Sequence, residues 1–106
     1  MSDIIAIQTT TGSRHDAQQL AAALVDQRLA ACVQITGPIE STYRWQGKLE
    51  TSEEWLLTIK TRRERFADVE RVILAMHSYE QPEIVAFPAT AATAGYERWL
   101  LEQTQE

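Results

Sequence analysis

The chain has 106 residues, 44% of them hydrophobic and 24% charged, with a formal net charge of −5. That length is expected to hold one domain over residues 1–106, with the composition of a globular protein rather than a disordered one. The acidic balance argues against nucleic acid as a partner, because phosphate binding rests on basic surface.

Residues 3–10 carry Ile4, Ile5 and Ile7 without a helix signal and read as a strand ended by Thr11-Gly12. Ser13 is a helix N-cap in sequence, and Asp16 three residues on suits the positive end of a helix. Ala17, Leu20, Ala21, Leu24 and Val25 fall on one helical face, a stripe of small and medium side chains fit to pack on a sheet. Residues 31–35 read as a short apolar strand. Gly37-Pro38 breaks it, because proline donates nothing to a ladder and marks a bulge, bend or edge. Beyond it Ile39, Ser41, Tyr43 and Trp45 share one face, and Gln46-Gly47 is a two-residue hairpin loop. On the return arm, residues 48–61, Trp55, Leu57 and Ile59 share one face and Leu56, Thr58 and Lys60 the other. Thr61-x-x-Glu64 fits a capping box and predicts a second helix, with Phe66, Val69, Val72, Ile73 and Met76 as its apolar face. Residues 84–87 read as a buried-type strand stopped by Pro88. Thr93 or Ala94 opens a last short helix with Tyr96, Trp99 and Leu100 turned inward.

The order β-α-β-β-α-β plus a C-terminal helix is the ferredoxin-like, split βαβ arrangement of the α+β class. A hairpin arm of ~14 residues at ~3.3 Å each would extend ~46 Å if straight. That exceeds what a domain with a radius of gyration of ~13 Å covers, so Tyr43, Trp45 and Leu49 are expected to overhang. Aromatics on an overhanging strand edge predict association with further copies of the chain.

No apolar stretch approaches the ~20 residues that span a bilayer, so no membrane insertion is expected. Met1-Ser2-Asp3-Ile4 places an acid where an export signal carries positive charge, and the single Cys32 forms no internal disulfide. Both point to the cytoplasm.

Chemistry concentrates in Met76-His77-Ser78-Tyr79-Glu80-Gln81-Pro82-Glu83-Ile84, at the handover from a helix to a strand. Neutral His77 is a candidate metal ligand with Glu80 and Glu83 as oxygen donors, in a set that suits Cu²⁺ or another divalent cation. The plainer reading is that His77 caps the preceding helix. Cys32 is a soft secondary ligand or, more plainly, a small buried hydrophobe. Four of the ten basic residues, Lys60, Arg62, Arg63 and Arg65, flank a helix start. They pair with nearby acids such as Glu64 and Asp68, or they serve an anionic ligand. Trp45 and Tyr43 line a pocket or pack across subunits, and His15 is solvated surface. No Walker loop, His-Glu-x-x-His, Gly-x-Ser-x-Gly or dinucleotide fingerprint occurs, so no enzyme and no organic cofactor are expected. A weak third option is acid–base chemistry by Tyr79, Glu80 and Lys60.

Leu29-Ala30-Ala31-Cys32-Val33, Tyr43-Arg44-Trp45-Gln46-Gly47-Lys48-Leu49-Glu50, Ile59-Lys60-Thr61 with Arg63-Glu64-Arg65-Phe66, and the His77 motif together resemble the CutA divalent-cation tolerance family. The His77 motif is similar to that family's His-Pro-Tyr-Glu-x-Pro-Glu signature, and residues 96–100 resemble its closing helix. The resemblance implies a ferredoxin-like subunit related to the PII signalling fold, a tight homotrimer sharing its hairpin arms, and a role in tolerance to divalent cations, copper above all. Ser78 stands where proline is usual, which implies a less rigid turn. Met76 and Thr9 stand where some members carry a histidine and a cysteine, which implies fewer copper ligands. The metal candidates are therefore His77, Glu80 and Cys32, and the candidates for a ligand cleft are Trp45, Lys60, Arg63, Tyr79 and Glu83. An alternative role is that of a PII-like signalling or scaffold trimer, taking a small anionic effector on Lys60 and Arg63.

Overall fold

The structure, a computed structural model, describes residues 3–105. Met1 and Ser2, on which part of the export reading falls, lie outside the described residues. The elements run β1 (Ile4–Thr11), α1 (Arg14–Asp26), β2 (Cys32–Trp45), β3 (Lys48–Arg62), a 3₁₀ turn (Arg63–Arg65), α2 (Phe66–Met76), β4 (Val85–Pro88) and α3 (Ala94–Gln103). The strands form one antiparallel sheet in the order β2-β3-β1-β4. This is the ferredoxin-like arrangement with an added C-terminal helix.

Side chains alternate across the sheet and sort it into two faces. Ile5, Ile7, Leu57 and Ile59 meet Leu20 and Leu24 of α1 and Val69 and Ile73 of α2 in the main core. Val25 and Met76, expected on the same helical stripes, are exposed at the helix ends, where the sheet no longer covers them. On the other face Ile4 and Ala31 pack with Leu100 of α3 in a smaller cluster. Tyr96 and Trp99 stay exposed although their spacing predicted an inward face, and they lean on each other with ring centroids 5.6 Å apart. The sheet beside α3 carries exposed Val85 and Phe87.

Ser13 caps α1 by accepting a hydrogen bond from Asp16 N–H at 3.1 Å, and Thr93 caps α3 by accepting one from Tyr96 N–H. The expected capping box at Thr61 is absent. Thr61 remains in β3, fully buried, and its hydroxyl donates to the Leu29 carbonyl at 2.7 Å. The helix begins later, through the 3₁₀ turn. The basic cluster has its own partners. Arg62 Nε donates to Thr104 Oγ1 at 2.8 Å and its terminal nitrogen to the Leu101 carbonyl, while Arg65 donates twice to the Thr104 carbonyl. Guanidinium groups thus satisfy the orphan carbonyls at the negative end of α3.

β2 continues through Gly37-Pro38 rather than ending there, with a cis peptide and a register shift between Thr36 and Ile39. A side chain at Gly37 would bring its Cβ to 2.4 Å from the Trp55 indole, so only glycine lets the bulged backbone lie on that ring. At the hairpin tip Gln46 (φ 49°) and Gly47 (φ 81°) both adopt left-handed backbone, the two-residue turn that matches strand twist. The arm overhangs as its length predicts. The molecule measures 45 × 26 × 22 Å, and Leu49 at the tip is 71% exposed.

Candidate functional site

Where β1 ends at Thr11, β2 and β3 run on as the arm, and residues 77–83 fill the angle between arm and sheet. α2 stops at Met76, and His77 leaves the helix with extended backbone while its N–H still bonds the Ile73 carbonyl at 2.8 Å. Its ring then reaches β1. Nε2 donates to the Thr10 carbonyl at 2.6 Å, and Nδ1 accepts the Tyr79 N–H at 3.0 Å. These two bonds fix the Nε2–H tautomer and occupy both nitrogens. The His77 side chain therefore braces the turn against β1 instead of covering the carbonyls of α2.

The brace aims Tyr79 at Glu54. The phenol donates to Glu54 Oε2 at 2.8 Å, and Thr10 Oγ1 donates to the same oxygen at 3.2 Å. Gly12 lies under the phenol, 3.3 Å from its oxygen by a notional Cβ. Partial burial, then the bond to Glu54 and its negative charge, push the Tyr79 phenol far above its ordinary value, so it stays a donor. Glu54 itself is only 6% exposed.

Around this pair opens a cleft of about 450 Å³ lined by Thr10, Ser41, Thr42, Tyr43, Trp45, Glu54, Tyr79, Glu80, Gln81 and Glu83. The arm supplies Tyr43 and Trp45 from one wall, and the turn supplies Tyr79, Glu80 and Glu83 from the other. Of the residues expected at a ligand cleft, Trp45, Tyr79 and Glu83 are brought together here. Lys60 and Arg63 are not. Lys60 pairs with Ala6 and Cys32 at the far end of the sheet, and Arg63 is held by a backbone bond to Asp3.

The three residues expected at a metal are also separated. Glu80 lines the cleft, His77 lies behind it, and Cys32 sits four positions along β3 from the level of Thr10, since Lys60 faces Cys32 and Leu56 faces Thr10. Among the described residues no group of three or more His, Cys, Asp and Glu side chains is placed to hold a metal ion. With both His77 nitrogens engaged, the donors of one chain do not fit a closed metal centre.

Glu54 and Thr10, the floor of the cleft, escaped the sequence reading. Their signal was the period of two: Glu54 extends the Leu56, Thr58, Lys60 face of β3, so it points to the same side as Thr10.

The CutA1 divalent ion tolerance protein family model matches residues 5–103. The divalent-cation tolerance protein CutA of Thermus thermophilus is 40% identical over 104 residues, covering 98% of this chain and 99% of that protein. The protein of the same name from Archaeoglobus fulgidus is 38% identical over 99 residues, covering 93% and 96%. The chain spans only 56% of the chloroplastic CutA protein of Arabidopsis thaliana, at 38% identity over 95% of its own length. Among solved structures, that of the Thermus thermophilus divalent cation tolerance protein superposes with a TM-score of 0.94 at 39% identity, over 96% of this chain and 99% of that one. CutA from Xylella fastidiosa gives a TM-score of 0.95 at 35% identity, over 98% and 100%. The chain belongs to the CutA1 divalent ion tolerance protein family.

Proposed function

We propose that this chain is a cytoplasmic, non-enzymatic binding protein in divalent-cation tolerance, working as a homotrimer whose cleft beside the hairpin arm receives a positively charged ligand. One observation carries the reading. Among the described residues, every ionisable side chain lining the cleft is an acid or a tyrosine, and no basic residue lines it. Such a lining concentrates cations and repels anions. The names of the relatives point the same way, since they tie those proteins to divalent cations. Copper held by His77, with Glu80 or Cys32, is the narrower form of this reading. It requires His77 to release a ring hydrogen bond, so Cu²⁺ affinity through that residue should be modest. No helix among the described residues is long and apolar enough to cross a membrane.

Calorimetric titration tests the reading. Cations, with Mn²⁺ and Cu²⁺ as probes, should release heat that falls about tenfold in apparent affinity in the double variant Glu80→Gln, Glu83→Gln. If nucleotides or carboxylic acids bind instead, and Lys60→Ala abolishes that binding, the PII-like anionic-effector role replaces this one.

A further inference from the structure

The cleft poorly suits a bare metal ion and closely suits an organic cation. Its volume of about 450 Å³ lies within the ~300–1,000 Å³ range of sites that enclose molecules of many atoms. The carboxylates Glu54, Glu80 and Glu83 line it without converging on one point, as the absence of any metal-holding group among the described residues shows.

Two further features lie between those carboxylates. The first is aromatic. The rings of Tyr43, Trp45 and Tyr79 all border the cleft and are part-exposed. Aromatic faces attract ammonium groups within ~6 Å, and they do so best where water is partly excluded. The second is a charge without a counter-charge. Glu54 is 94% buried by its 6% exposure, yet its partners are two neutral hydroxyls, both on Oε2. No basic side chain pairs with it among the described residues. A buried carboxylate left without a cation is costly, and the cost is relieved by a cation that enters beside it. Oε1 is the oxygen free to receive one. Ser41, Thr42 and Gln81 add neutral hydrogen-bonding groups at the rim.

We infer that the cleft binds an organic ammonium ion, a primary amine or N-alkylammonium, with Glu54 as its counter-charge and Trp45 and Tyr43 as its aromatic walls. A ligand with a second positive charge is held more tightly, because Glu80 and Glu83 lie along the same cleft. This rests on the cation reading above and narrows its ligand class.

Calorimetry on the full chain tests it, with tetramethylammonium, 1,4-diaminobutane, Mn²⁺ and a nucleoside triphosphate as probes. Both amines should bind, the diamine more tightly. Glu54→Gln preserves the acceptor for Tyr79 and Thr10 and should weaken both by roughly tenfold or more, as should Trp45→Leu. If Glu54→Gln fails to fold, Trp45→Leu on the exposed arm and Glu80→Gln, which should weaken only the diamine, decide the matter. Binding of Mn²⁺ without either amine overturns the amine and leaves the cation reading standing. Binding of the triphosphate alone overturns both. Amine binding that ignores Glu54→Gln and Trp45→Leu is surface attraction and overturns the inference.

Discussion

Tyr79 and Glu54 depend on each other. The phenol is one of two donors that satisfy a carboxylate with little water around it, and burial, together with that carboxylate, keeps the phenol protonated. Removing the hydroxyl in Tyr79→Phe should cost about 1.5–3 kcal/mol, the usual worth of a hydrogen bond to a charged acceptor. The pH dependence follows from linkage. Because folding raises the phenol's pKa, the protonated form is favoured in the native state. Its contribution is fully present below the unfolded value of about 10 and is lost as pH rises beyond it. Urea unfolding at fixed protein concentration, at pH 8 and pH 11, should show a smaller alkaline loss in Tyr79→Phe than in the wild type. Tyr96, also raised by burial and by the charge of Cys32, keeps some alkaline loss in the variant. An equal loss in both proteins would mean that Tyr79 is not the group that titrates.

At the scale of elements, the ordering of strands and helices was legible because period and punctuation agreed. Ser13 and Thr93 cap the helices they precede, and Gln46-Gly47 turns the hairpin as its residue types require. Thr61 misled because a threonine three residues before a glutamate is the same string in a capping box and in a strand. What decided between them was the Leu29 carbonyl, 32 positions away in sequence, which needed a donor. The candidate site was half legible. The turn at residues 77–83 announced itself by composition, but the ring bonds of His77 and the burial of Glu54 depend on how β1 and β3 bring distant residues together. Of the basic run, Arg65 pairs with Asp68 at the start of α2, at 3.6 Å, as the nearby acids suggested. What the sequence did not show is that Arg62 and Arg65 also hold the end of α3, so Arg62→Met, which keeps the apolar stem, should fray α3 without disturbing the main core. Hydrogen exchange would show this as faster exchange at residues 100–104, with a global loss of about 1.5–3 kcal/mol. Unchanged protection there would leave Arg62 without a role in holding the helix.

The whole molecule leaves more apolar surface uncovered than its core accounts for. Val85 and Phe87 stand on the sheet face that α3 only partly covers, Tyr96 and Trp99 border it on α3, and Tyr43, Trp45 and Leu49 lie along the arm. Single exposed apolar residues are ordinary, but seven large ones distributed over one face and one arm form the kind of surface that marks an interface. A closed ring of copies would cover the sheet face and the arm tip at Leu49 at once, since a sheet face and a protruding arm are different patches and meet head to tail, and such contacts close into rings when the rotation allows. The homotrimer proposed above is such a closed ring. Phe87 is the residue to test, because at 48% exposure it contributes little to the folded chain's own core and would lie deep in the shared one. Phe87→Asp should place a charge in that apolar contact, at a cost that grows with desolvation. In sedimentation equilibrium at micromolar concentration the wild type should run as a trimer and Phe87→Asp as a smaller species with native far-UV circular dichroism. A wild type that sediments as a folded monomer would remove the homotrimer from the proposal, and the exposed aromatics of the arm would then have to be explained by the ligand cleft alone.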